Sequence, residues 1–107
     1  SEMLESIERK LDALERQDPA AVRMKVLSGD GRLESARRVA AVLRERGYDV
    51  DAVGMAPSKG FEADTVFYTD GFEAAAARVA ESLGRHARTR PLTWSSVYEI
   101  IVVTGGK

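Results

Sequence analysis

Val22-Arg-Met-Lys-Val-Leu-Ser-Gly-Asp-Gly31 is the stretch on which the fold turns. Val22, Met24 and Val26 alternate with Arg23 and Lys25, the two-residue period of a strand with one buried face. Ser28-Gly29-Asp30-Gly31 then turns the chain. Beyond the turn, Leu33, Ala36, Val39, Ala40 and Leu43 fall on one face of a helix, with Arg37, Arg38, Arg44 and Glu45 mostly on the other. Gly47 stands where a helix C′ residue belongs, and Tyr48 to Val53 alternates again as a second strand.

A second strand and helix follow downstream. Gly54 to Ala63 holds two glycines and a proline and reads as a loop, and Thr65-Val-Phe-Tyr68 as a short strand. Asp70-Gly-Phe-Glu73 has the form of a capping box, opening a helix with Phe72, Ala76, Val79 and Leu83 on one face and Gly84 as its stop. Residues 85–91 are polar and basic and read as a connection, with a brief extra strand expected between Leu92 and Val97. Glu99-Ile-Ile-Val-Val103 is continuously apolar, as in a strand covered on both faces. The expected domain is therefore α/β (α+β), β-α-β-β-α-β over residues 19–107, one mixed sheet with two helices on one face.

Upstream, Leu4, Ile7, Leu11 and Leu14 repeat at spacings of three, four and three, the seam of a heptad pattern. Glu5–Arg9 and Asp12–Arg16 are acid-first i,i+4 pairs, and Asp18-Pro19 ends the segment. Residues 1–18 thus read as an amphipathic helix. Its stripe either packs on a domain or continues a coiled coil that makes a homo-oligomer through residues 3–17.

Composition narrows the function classes. At 107 residues, 44% apolar and 31% charged, the chain is an ordinary globular domain. A net charge of −1 gives the chain as a whole no attraction for nucleic acid or an anionic membrane. The lack of cysteine removes disulfides and thiolate chemistry, and no apolar run reaches the roughly 20 residues that span a bilayer. The chain opens on Ser1 rather than methionine, as a piece of a longer protein would.

In their order and spacing, Val26 to Gly31, Ala36 to Val53, Thr65 to Gly84 and Val97 to Gly105 resemble the C-terminal domain of the LytR/CpsA/Psr family of bacterial cell-envelope proteins. That family usually carries an Asn-Gly-Ser/Thr-Gly type of turn where this chain has Ser28-Gly-Asp-Gly31. The resemblance implies an accessory, non-catalytic domain outside the cytoplasmic membrane, held there by an N-terminal anchor upstream. The phosphotransferase activity of the family lies in a separate catalytic domain. A cell-wall polymer or an envelope protein is the partner this implies.

The residues themselves offer two candidate binding groups. Ser28, Gly29 and Gly31 lie between a strand and a helix start, where backbone N–H groups can cradle an anion, although Asp30 would repel one. Local turn and cap duties explain the same residues. Arg85, His86, Arg88 and Arg90 form the densest basic run, suited either to a helix C-terminus or to a polyanionic polymer.

Catalysis is not expected. His86, the single histidine, has no adjacent carboxylate and no second metal ligand at useful spacing, so neither a metal nor a cofactor is expected. Asp49 and Asp51 read as the solvent side of a strand. Gly-x-Ser-x-Gly is missing. Nucleic acid is not an expected partner either. RNA-reading sheets carry aromatics on their exposed strands, and here the first strand has none. Phe67 and Tyr68 must point oppositely, and Trp94 falls outside the four strands of the β-α-β-β-α-β order.

Overall fold

The computed structural model describes residues 22–57, 62–83, 87–94 and 96–105. The amphipathic segment with Leu4, Ile7, Leu11 and Leu14, together with Gly84, Arg85 and His86, lies outside the described residues. The elements are β1 (Arg23–Ser28), α1 (Leu33–Glu45), β2 (Asp49–Met55), β3 (Thr65–Tyr68), α2 (Glu73–Ser82), β4 (Arg88–Pro91) and β5 (Ile100–Thr104). The strands form one mixed sheet in the order β2-β1-β5-β3-β4. β1 is parallel to β2 and β5, β3 is parallel to β4, and β3 meets β5 antiparallel.

Alternation produces the core as the sequence predicts. Val22, Met24 and Val26 are fully buried on the helix side; Met24 and Val26 are in register with Ile100 and Val102 of β5 and, across β5, Val102 with Val66 of β3. Ala36, Ala40 and Leu43 of α1 and Ala75, Ala76 and Val79 of α2 close over them in a single cluster. Both helices therefore lie on one face of the sheet. The small alanines let each helix approach the strands closely, and Leu43 supplies bulk.

The termini of the helices come out differently. α1 ends in a Schellman motif: Gly47 has φ 91° and donates its N–H to the Arg44 carbonyl at 3.0 Å, while Tyr48 N–H reaches the Leu43 carbonyl at 3.1 Å. The capping box expected at Asp70 does not form. Gly71 takes φ 89° in a turn closed by Phe72 N–H on the Thr69 carbonyl at 3.0 Å, so Phe72 is the N-cap and Asp70 lies too far upstream. The extra strand also moves: it is Arg88–Pro91, inside the basic run, and not Leu92–Val97. A parallel partner for β3 must follow α2 directly, and residues 88–91 are where the chain regains that edge.

Both sheet edges are guarded by charge. β2 carries the exposed Asp49 and Asp51, its register with β1 shifts between Met24 and Lys25, and Arg44 donates to the Val50 carbonyl at 2.9 Å. β4 offers Arg88, Arg90 and Pro91.

Where β5 ends, there is no room for a side chain. A Cβ on Gly105 would run into the Ala63 backbone, which cannot swing aside. The Gly105 N–H donates to Asp64 Oδ1 at 2.7 Å, tying the end of β5 to the start of β3. Gly105→Ala is expected to lower unfolding stability by about 1–3 kcal/mol, the usual range for overpacking, as read by denaturant titration. An unchanged midpoint would show that the close approach is not maintained in solution.

Candidate functional site

Sequence reading offered two groups of binding residues, and they lie in separate places. Ser28, Gly29 and Gly31 sit on the helix side, where β1 and β5 end and α1 begins. Arg88 and Arg90 sit on the outer edge, on β4.

The turn after β1 is organised around its own acid. The Asp30 carboxylate accepts the Ser28 hydroxyl at 2.7 Å, the Arg32 N–H at 2.8 Å, and the Ser35 hydroxyl across the first turn of α1. Gly29 N–H donates to the Thr104 carbonyl at 3.0 Å, and Gly31 takes φ 85° while Gly29 does not need a positive φ. Four donors of this turn are therefore already engaged, three of them by Asp30 itself.

The hydrogen bonds from Ser35 and Ser28, and then from the Arg32 amide, hold the Asp30 carboxyl down at about 2 from an ordinary 3.8. A fixed negative charge stands where an anionic ligand would have to enter. Beside it is a cleft of about 440 Å³ between the helices, lined by Arg38 and Val39 of α1, by Ser82 of α2 with Leu83 just beyond it, and by Asp64 and Thr104. Asp64 was not singled out by sequence reading. Its carboxylate serves Gly105 and its carbonyl accepts the Arg88 N–H at 2.8 Å, so it acts as a latch between strand ends.

The second group faces the other way. Register pairs Arg88 with Thr65 and Arg90 with Phe67, and Val66 and Tyr68 belong to the helix-side core. Alternation therefore puts Phe67, Arg88 and Arg90 together on the side away from the helices. Arg88 and Arg90 are exposed, and neither guanidinium has a hydrogen bond or ion pair among the described residues.

Trp94 folds back from the connection after β4 onto Phe67, with ring centroids 5.4 Å apart at 55°, yet is still 51% exposed. Lys25 Nζ stands 5.8 Å from the centre of the Tyr98 ring, whose hydroxyl donates to Asp51 at 3.4 Å. Between these two contacts lies Ile101, in register with both Lys25 and Phe67 and only 6% exposed. Trp94 was named in the sequence and set aside, and Tyr98 was not named, because the strand before the 92–99 connection was missed. Its signal was Arg88-Thr-Arg-Pro91, an alternation of two cations with proline at an edge.

Comparison with known proteins agrees with this architecture. The family model LytR_C, described as LytR cell envelope-related transcriptional attenuator, matches residues 21–107. The solution structure of the C-terminal domain of RV0431 is similar, with a TM-score of 0.55 and 28% identity over 79% of this chain and 72% of that one. No curated protein matches the chain. Among the described residues no helix is long and apolar enough to cross a membrane.

The Asp30 network has a pH signature. Its native value lies below the unfolded one, so its contribution to stability is complete above about pH 4 and is lost as the pH falls through about 2. Thermal melts of the protein and of Asp30→Asn should differ at neutral pH and converge as the pH approaches about 2. A gap that stays constant across that window would remove the carboxylate charge from the account.

Proposed function

The chain belongs to the LytR C-terminal family of cell-envelope proteins, and we propose that it is a non-catalytic accessory domain of a bacterial envelope protein that binds a cell-wall polymer. In this reading it works outside the cytoplasmic membrane, on a protein anchored upstream. The observation that carries the reading is the β4 edge: two exposed arginines on one face, two residues apart, with no partner among the described residues. A planar guanidinium matches carboxylate and phosphate oxygens two at a time. The net charge of the chain is −1, so the attraction is local, and the acids of β2 lie at the opposite edge of the sheet.

The test is a titration of the full chain with solubilised peptidoglycan and with anionic wall glycopolymers at two salt concentrations. Arg88→Glu with Arg90→Glu should weaken binding by roughly tenfold or more, and binding by the parent should fall as salt rises. Wild-type affinity in the double variant would exclude the β4 edge. Charged residues remain on the edge in this variant, so loss of binding is separable from aggregation of an unguarded strand.

A second reading rests on the spacing of Leu4, Ile7, Leu11 and Leu14. Residues 1–18 would then drive self-association, with residues 19–107 as the globular terminus. Sedimentation of the full chain beside a 20–107 fragment decides it. A concentration-dependent oligomer for the full chain alone is expected, and two monomers at high concentration would exclude it.

A further inference from the structure

We propose that Trp94, seated on Phe67 beside Arg88 and Arg90, is the stacking platform of a site for an acidic glycan. The indole meets a sugar ring and the guanidiniums hold its negative groups. The inference rests on the polymer-binding reading of the β4 edge and adds the chemical class of the ligand.

Each part of the site is placed by the fold. Phe67 faces away from the helices because Val66 and Tyr68 face them, and Arg90 is its cross-strand partner. Arg88 and Arg90 are alternate residues on one strand, which sets them about 6.5–7 Å apart on the same side. The chain then continues the ladder, Leu92 N–H meeting the Tyr68 carbonyl at 2.8 Å, which fixes the start of the connection that carries Trp94. Tilted against Phe67, the indole is held in place and still leaves about half its surface in water.

That combination selects among anions. A sugar ring presents C–H groups on its faces, which pack on an aromatic plane, and polar groups around its rim, which suit arginine forks. A polyanion without rings would use the arginines and leave Trp94 idle. A peptide adding to the β4 edge would bind through main-chain groups and would not need the indole. Single-stranded nucleic acid is read by successive stacked rings, whereas Trp94 is the one large aromatic strongly exposed among the described residues. Asp49 and Asp51 on the far edge repel the same anions, which orients an acidic chain toward β4.

Trp94 is the single tryptophan, so its emission reports on the site directly. The full chain is titrated with oligogalacturonate, chitohexaose, inorganic polyphosphate and oligouridylate, following fluorescence and, for variants, heat. Oligogalacturonate should shift the tryptophan emission and bind more tightly than neutral chitohexaose. Trp94→Leu, which keeps an apolar side chain beside Phe67, should weaken oligogalacturonate binding by about tenfold and leave polyphosphate binding unchanged. Wild-type affinity of Trp94→Leu for oligogalacturonate would overturn the stacking site and leave the charge-based reading of β4 standing. Equal affinity for chitohexaose, or tighter binding of oligouridylate, would overturn the acidic-glycan assignment. Failure of all four probes to bind would overturn both.

Discussion

Between the parallel pair β1–β2 and the parallel pair β3–β4 runs β5, hydrogen-bonded to β1 on one side and to β3 on the other. Every residue of Ile100–Thr104 is buried, and the strand is drawn from the end of the chain. The contact between Arg23 and Glu99 spans 76 residues of sequence. Each β-α-β half can close its own parallel pair locally, but neither half acquires a two-sided sheet until β5 arrives. Ordering so distant a segment costs loop entropy before it gains contacts, which places the union of the halves late in folding. The tight seat of Gly105 against Ala63 is the consequence of that geometry: the end of β5 must pass the start of β3 at backbone distance.

Much of this was legible because it follows from short-range periods. The alternation Val22–Met24–Val26, the stripe Leu33–Leu43 and the C′ glycine at Gly47 each have one physical reading, and each appears in the structure. Thr65–Tyr68 is found as its β-forming residues predict. The unbroken apolar run near the end is the strand covered on both faces, displaced by one residue to Ile100–Thr104. What was lost depended on tertiary demand. Arg88-Thr-Arg-Pro91 has no hydrophobic alternation to betray a strand, since its side chains are all exposed. It is a strand because β3 offers an open edge where α2 ends. The capping box at Asp70 was lost to Gly71, whose left-handed backbone uses up the residues that a cap would need.

The candidate sites were legible in kind but not in place. Sequence could pick out the Gly-x-Gly turn and the basic run, yet not that Ser28 and the pair Arg88 and Arg90 belong to opposite sides of the sheet. The turn also shows how an acid can satisfy donors that resemble an anion cradle. Asp30 takes the Ser28 and Ser35 hydroxyls and the Arg32 amide, and the resulting low carboxyl pKa is the mark of a structural anion. Trp94 had no context at all until β4 was a strand, because only the β3–β4 register identifies which side Phe67 takes.

Edge protection alone does not account for the residues at β4. A lone cation or the proline suffices to deter strand addition, and on β2 that duty is met by Asp49, Asp51 and the backbone contact of Arg44. β4 adds a second arginine on the same face and, next to it, an indole held by Phe67 but left about half in water. Hydrated indole surface contributes nothing to the fold. Packing on Phe67 asks for apolar contact, not for a polar-edged ring left half in water on the face that carries two arginines. The arrangement is costless to a domain that fills the site and slightly unfavourable to one that leaves it empty. In the proposed reading, that asymmetry favours β4 over the cleft beside Asp30 as the side a ligand would take.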